Sequence, residues 1–339
     1  MVIYGRIQSI SSSSHWCVWL GDALITTPLI RHLKSQGHSI VFLGSNQSEA
    51  IYKNNPNIEK FILHDKDSVT NDKLGEYFQS IADENHCDKI IDLCESIEVR
   101  LAVTKSYPQW NWSKAERKAY CNINYYEYMF EKAGVKLVNN LSPEMFFTEE
   151  EENYIAEIRH KLLGQKIIMW GLSGSGRQKT YPYVPYIVGD IIRENKDVTV
   201  ILVGGNTCKI LECAFPKHKR IMKMSGEFSI RQSALMAKYA DLVVAPDTGF
   251  LHCAGCWNTP KLGLLTHTTV ENITKHFNND YSIESKAVCS PCFRLIDNAA
   301  EQCIIEPESH ACICMSKEGI DPKEVYNRID TILKQGGKK

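Results

Sequence analysis

"ADLVVAPDTGFLHCAGCWNTPKLGLL", residues 240–265, decides the fold class. The run Asp241–Pro246 is apolar, β-rich and too short for a helix, so it reads as a buried strand. Lys261–Leu265 reads as a second one. Between them Asp247-Thr248-Gly249 opens a helix of small residues. A strand, a helix and a further strand in this order imply parallel pairing, with the helix laid on the sheet.

The same alternation extends in both directions. Upstream, "KIIMWGL" (166–172), "VTVILVGG" (198–205) and "RIMKM" (220–224) read as strands. "YVPYIVGDIIREN" and "IRQSALMAKYA" read as the helices between them. An earlier series holds "SIVFLG" (39–44), "KFILH" (60–64) and "DKIIDL" (88–93). Its helices are "TPLIRHLKSQG", with Pro28 near its first turn and Gly37 as its stop, and "NINYYEYMFEKAG" (122–134). Two such series predict an α/β chain of two Rossmann-like domains facing a central cleft. The expected division is 1–155 for the first domain and 156–325 for the second, with the junction inside the acidic "TEEEENYIAEIRHKLLGQ" (148–165). A last helix over 321–335 has Val325, Ile329, Ile332 and Leu333 on one face.

The totals fit an ordinary globular protein of two domains. The 339 residues are 43% hydrophobic and 23% charged. The net charge of −1 gives no overall pull toward nucleic acid or anionic lipid. No apolar run approaches the roughly 18 residues that span a bilayer. "MVIYGRIQSISSSSHW" has no apolar core of a signal peptide, so the expected location is cytoplasmic. There the 13 cysteines are not a disulfide framework. Eight are scattered and read as small buried hydrophobes. Cys253 and Cys256, inside the small-residue helix, belong with these.

In open parallel sheets ligands bind at the carboxyl ends of the strands, so the loops there carry the chemistry. "GLSGSGRQKTYPY" (171–183) combines small residues with Arg177 and Lys179, a pairing suited to phosphate. Gly171 and Gly176 have the spacing of a P-loop, but Arg177 stands where its lysine belongs and Lys179-Thr180 comes two residues late. A surface turn with incidental charges is the plainer alternative. After Pro246, Asp247 or Thr248 can cap the helix that starts at Gly249, whose free N–H groups suit a diphosphate. His252 falls in its first turn. In "HWCVWLGDALITTPLIRHL" (15–33), Asp22 is either a helix cap or a cleft carboxylate. Thr26 or Thr27 can cap the helix ahead of Pro28, which leaves Asp22 for chemistry.

Three of these segments together resemble glycosyltransferase family 9, which includes the ADP-heptose:lipopolysaccharide heptosyltransferases. "GDALITTPLIRHLKSQGHSIVFLG" resembles its N-terminal G-D-x-x-x-T-x-P signature. "GLSGSGRQKTYP" is similar to its donor-binding loop, and "DLVVAPDTGFLHCAGCWNTPKLGLL" to its D-T-G-x-x-H signature. The resemblance implies a GT-B fold and an inverting transfer of a heptose or similar sugar from a nucleotide diphosphate donor, an ADP-sugar being favoured. It implies Asp22 as general base. It implies Ser173, Arg177, Lys179, Thr207, Asp247, Thr248, Gly249 and His252 as the donor site, with no catalytic metal. It also implies that the last helix packs back on the first domain. Where the family often has a glutamate after its second strand, "VGGNTCKILE" offers Asn206 and Thr207, which leaves the nucleotide and sugar open. The acceptor is equally open: a glycan, a protein or modified nucleic acid. Two rival functions stand beside the transferase, a P-loop-like kinase or NTPase and a non-catalytic binding module on a transferase scaffold.

The remaining five cysteines crowd into "CSPCFRLIDNAAEQCIIEPESHACICM" (289–315). A C-x2-C knuckle with later thiols suits a tetrahedral zinc or iron site, within a cysteine-rich finger over 287–316. "CM" at 314–315 with Ile320, Pro322 and Val325 is similar to the family's C-terminal pattern, and a related branch carries an iron-binding cysteine finger. The resemblance thereby favours Cys289, Cys292, Cys303 and Cys314 as ligands, with Cys312 in reserve and His310 weaker. Four thiolates make a closed, structural site.

Overall fold

A computed structural model describes residues 2–4, 20–64, 69–93, 100–105, 107–295 and 312–336. Strands β1 (Val2–Tyr4), β2 (Val41–Gly44), β3 (Lys60–Leu63) and β4 (Ile90–Asp92) form one sheet in the order β3-β2-β1-β4. Strands β5 (Lys166–Gly171), β6 (Val198–Val203), β7 (Ile221–Lys223), β8 (Leu242–Pro246), β9 (Lys261–Leu265) and β10 (Ile283–Glu284) form the other, in the order β10-β9-β8-β5-β6-β7. Every pair is parallel. Counted from its own first strand, the second sheet runs 3-2-1-4-5-6, the doubly wound order. Its strands β5, β6, β8 and β9 are buried almost throughout, as expected where both faces are covered.

Helix α1 (Leu20–Ser35) differs from its expected start. Thr26 and Thr27 are not caps but interior residues, and Pro28 lies mid-helix. Pro28 has no N–H for the Leu24 carbonyl four residues back. The Thr27 hydroxyl donates to that carbonyl instead, at 2.8 Å, which keeps the helix continuous. The Thr27 hydroxyl oxygen in turn accepts from Glu144 N–H at 3.0 Å. Leu24, Leu29 and Ile30 of α1 are fully buried, each contributing about 1.5–3 kcal/mol of apolar transfer.

Helix α6 (Glu149–Lys161) starts with a capping box between Thr148 and Glu151 and carries acidic residues in its first turn and basic ones in its last. The expected boundary at 155/156 falls inside it. One core runs from α1 through helices α5 (Tyr125–Lys132) and α9 (Ile230–Lys238) to the near face of the second sheet, joining Leu29 and Phe130 with Met169, Val243 and Phe250. The far face packs on helix α7 (Val184–Glu194) and the last helix, α11 (Pro322–Gly336). Val325, Ile329, Ile332 and Leu333 of α11 therefore bury against the second sheet, not the first domain as the resemblance implied. Lys166 reinforces this by donating to Leu333 O, as does Arg328 to Tyr281 O.

The halves are pinned by side chains that reach backbone. Asn272 donates to the carbonyls of Cys121 and Ile123. Val103 N–H donates to Phe293 O, and Leu295 N–H to Val103 O, so residues 293–295 add a strap to the first half. Arg231 of α9 forks onto Glu151 at 2.6 and 2.7 Å and donates to the carbonyls of Ala50 and Phe146.

Arg231 is nearly buried, so Arg231→Leu strands several acceptors and is expected to lower stability by about 2 kcal/mol, read from the urea midpoint. The Arg231 bond, against a smaller opposing effect of burial, holds the Glu151 carboxyl at about 2. The folded value lies below the ordinary one of about 4.5, so this stabilisation is complete above pH 4.5 and disappears as pH falls toward 2. The acid slope over that window should shrink in Arg231→Leu. An unchanged slope would assign the acid sensitivity to other groups.

Candidate functional site

A cavity of about 710 Å³ opens where the first half meets the carboxyl ends of β5, β6 and β8. In the second sheet the strand order reverses between β5 and β8, the place where doubly wound folds hold ligands. The loop after β5 supplies Ser173, Gly174 and Lys179, the loop after β6 supplies Gly205 and Thr207, and the loop after β8 supplies Asp247 and Thr248. Asp22, in the first turn of α1, closes the wall from the other half.

The approach of the two halves depends on paired glycines. A Cβ on Gly249, the first residue of helix α10 (Gly249–Gly255), would lie 2.8 Å from Leu20 Cβ and 3.2 Å from Gly21 N. One on Gly21 would lie 3.2 Å from His252 Cδ2. The described starts of α1 and α10 thus touch backbone to backbone, and Asp22 follows immediately. Thr248 is the N-cap of α10, but its hydroxyl donates to Pro246 O rather than capping. The helix start is left without a side-chain cap.

Asp247 is buried and does not cap either. Its Oδ2 accepts from the Thr268 hydroxyl at 3.0 Å and lies 3.4 Å from His267 Nε2. Its Oδ1 is 3.7 Å from His252 Nε2. Burial alone would raise this carboxyl. The Lys179 ammonium, the contact with His252 and the two imidazoles outweigh it and hold Asp247 far below the usual carboxylate range. Burial, then Lys179, pushes the His267 imidazole down to about 4, so it is neutral at pH 7. Lys179 itself forms no ion pair within 4.0 Å among the described residues, and it stands on the cavity wall.

Of the sequence-derived donor residues, Ser173, Lys179, Thr207, Asp247, Thr248, Gly249 and His252 share this cavity with Asp22. Arg177 does not line it. Arg177–Lys179 is a single 3-10 turn, in which residues two apart point in different directions. No α-helix follows Lys179-Thr180 directly. Helix α7 begins at Val184, and the Thr180 hydroxyl pairs with Ser173 at 2.5 Å. The loop is not a P-loop. Glu212 is buried and accepts from Ser225 N–H, a structural contact. Burial pushes the Cys253 thiol up to about 12 and raises Cys256 well above the usual thiol range, consistent with packing.

Three residues escaped the sequence reasoning. His267 and Thr268 follow β9, so the rule that strand ends carry ligands pointed to "THTT" (266–269). Tyr126, whose hydroxyl is 2.8 Å from His252 Nδ1, sits inside a helix pattern that gave no sign of it.

Cys289, Cys292, Cys312 and Cys314 do not line the cavity, though Leu295 of the strap does. Cys289 Sγ and Cys314 Sγ are 3.3 Å apart. Cys303 falls outside the described residues. Among the described residues no group of three or more His, Cys, Asp or Glu is arranged to hold a metal.

The family model described as glycosyltransferase family 9 (heptosyltransferase) matches residues 96–302. No curated protein matches by sequence. Among solved structures, the family 9 glycosyl transferase from Veillonella parvula superposes with a TM-score of 0.68 at 15% identity, covering 98% of this chain and 97% of that one. The ADP-heptose LPS heptosyltransferase II of E. coli gives 0.64 at 15% identity, covering 98% of each. The iron-containing dodecameric glycosyltransferase TibC from enterotoxigenic E. coli gives 0.60 at 9% identity, covering 98% of this chain and 76% of that one. These likenesses establish a mixed α/β fold with parallel sheets similar to GT-B glycosyltransferases.

Gly249→Ala tests the glycine contact. The added methyl meets Leu20 and the backbone of Gly21, and separating the helices is expected to cost about 1–3 kcal/mol. Its thermal midpoint should fall, whereas Gly189→Ala, which meets nothing within 4 Å, should hold or raise it. Equal midpoints would show that the helices separate freely.

Proposed function

The chain belongs to glycosyltransferase family 9, the heptosyltransferases, and is a glycosyltransferase; from this we propose that it moves a heptose or closely related sugar from an ADP-sugar to an acceptor hydroxyl with inversion. The observation that carries the proposal is one cavity bounded by Asp22 on one side and by Lys179 with the uncapped start of α10 on the other. The structural neighbours add support for the nucleotide: one is an ADP-heptose heptosyltransferase, and TibC was solved with ADP-D-β-D-heptose.

In this mechanism Asp22 takes the proton of the acceptor hydroxyl as its oxygen attacks the anomeric carbon. The bond from that carbon to the diphosphate breaks on the opposite face, and the nucleoside diphosphate leaves with the electron pair. Negative charge grows on the leaving oxygens, where Lys179 and the N–H groups of Gly249 and Phe250 supply preorganised positive ends. Ser173 and Thr207 add hydroxyls to the same pocket. Asp247, kept ionised, holds His252, His267 and Lys179 around the donor. These groups supply the countercharge without a catalytic metal. Arg177 acts at most on the field around the loop, being off the wall. A cytoplasmic location belongs to the same proposal; among the described residues no helix is long and apolar enough to cross a membrane.

The cysteine finger is proposed as a structural zinc or iron site built on Cys289, Cys292, Cys303 and Cys314. Its support is the Cys289–Cys314 contact, close to the roughly 3.8 Å edge of a thiolate tetrahedron around zinc. A bound ion would tie the start of the strap to the segment leading into α11.

Two measurements test these assignments. In a thermal-shift screen of ADP-, UDP-, GDP- and CDP-sugars, an ADP-sugar should stabilise wild type and Asp22→Asn alike, with turnover lost by about 10²-fold or more only in the variant. Lys179→Ala should weaken that stabilisation. An Asp22→Asn protein that is unfolded makes the residue a structural cap, and silence toward every donor removes the transferase assignment. Elemental analysis of protein purified without chelator should find about one zinc or iron per chain, absent from Cys289→Ser. Metal-free wild type of full stability would make the thiols simple packing.

A further inference from the structure

Tyr126 belongs to α5 of the first half and His252 to α10 of the second. Their contact is sealed: the Tyr126 ring is fully buried and its hydroxyl lies 2.8 Å from His252 Nδ1. Phe277 stands edge-on to both rings, at 5.9 and 6.0 Å, and fixes their planes.

Only one proton arrangement satisfies both partners. If Nδ1 donated to the phenol oxygen, the phenol O–H would have no acceptor among the described residues. An orphaned buried donor is expensive. If the phenol donates, Nδ1 accepts and both needs are met. Burial also keeps the proton on the phenol, whose acidity is pushed well below that of an ordinary tyrosine. With Nδ1 occupied as an acceptor, the ring's own proton sits on Nε2. That nitrogen is 3.7 Å from Asp247 Oδ1 and 3.6 Å from where a Cβ on Gly21 would be.

We propose that Tyr126 is a positioning residue: its hydroxyl locks His252 in the Nε2–H tautomer, so that the histidine presents an N–H toward Asp247 and the junction with α1. Two consequences follow. His252 is a donor at that edge and takes no proton there, which leaves acceptor deprotonation to the opposite half. And because the lock comes from the first half while the histidine belongs to the second, the tautomer is set only while the halves are docked. Domain contact and the chemical state of the donor pocket are thereby one equilibrium.

The lock is read directly by histidine-selective ¹⁵N NMR of the unliganded protein near pH 7. The expected pattern for His252, assigned by its loss in His252→Gln, is a protonated Nε2 and an unprotonated, hydrogen-bonded Nδ1. A proton on Nδ1, or on both nitrogens, overturns the proposal, and this readout needs no variant of Tyr126 and no turnover. Tyr126→Phe keeps the ring against Phe277 and removes one oxygen. It should mix the tautomers and lower kcat by about 10- to 100-fold, with donor KM moved less than about threefold. In a His252→Gln background the same change should have less than about a twofold effect. Wild-type kcat in Tyr126→Phe, or a full effect without His252, refutes the lock. The kinetic arm rests on the proposed transfer. The spectrum does not, so its failure is distinguishable from failure of that function.

Discussion

The contact between Gly21 and Gly249 sets how close the two halves come. Neither position has room for a Cβ without moving a neighbour, and the atoms met include backbone and a buried histidine ring. With glycine at both, the described start of α1 abuts the start of α10, whose dipole points its positive end at the cavity. Everything assigned to the cavity is spaced from this contact. Asp22 is one residue past the first glycine, Thr248 one before the second, and His252 packs over the first. A core that runs unbroken from α1 to the near face of the second sheet holds the contact in place. The arrangement is a packed interface, so the site is a property of docked halves and not of either sheet alone.

Within that geometry Asp247 carries a second constraint. A carboxylate this buried is tolerable only with partners, and its partners come from three strand ends: His252 after β8, His267 and Thr268 after β9, and Lys179 beyond β5. Because His267 is neutral at pH 7, the compensating charge is Lys179. Asp247 and Lys179 are thus nearly balanced in charge without being in ionic contact, which leaves Lys179 on the wall, while the start of α10 carries an uncapped positive end. An anionic ligand is favoured at the helix start and disfavoured next to the carboxylate. In the proposed transferase, that polarity orients a donor with its diphosphate toward Thr248–Gly249 and its sugar, which bears hydroxyls but no charge, toward Asp247.

How much of this the sequence revealed follows from what each signal measures. The strands of the second sheet were legible because they are short, nearly wholly apolar runs, a pattern that burial on both faces imposes. The cavity residues were legible as loops at strand ends, and the three motifs named the family. The start of α1 was not, since Pro28 with two threonines reads as a cap, and only the Thr27 bond to Leu24 O shows how a helix passes through it. Amphipathicity showed which face of α11 is buried but not against what, and the far face of the second sheet took it. Tyr126 was invisible because a buried tyrosine in a helix looks like core. Its role depends on a partner 126 residues away.

The strap at 293–295 explains why a segment so far from the strand ends matters to the cavity. Phe293 is fully buried against Val103, Trp110 and Cys121 of the first half, its carbonyl and the Leu295 N–H both bond to Val103, and its own N–H donates to His267 O. Arg117 donates to Cys292 O and Arg294 to Trp110 O, so charged side chains clamp the strap from each partner. Two residues after Phe293, Leu295 reaches the cavity wall. Whatever orders the cysteines just before the strap thus also orders that wall. A thiolate-bound ion, if it forms as proposed, would act on the site through packing and not through chemistry. Such an ion would then matter to the proposed transfer without touching any of the reacting groups assigned to it.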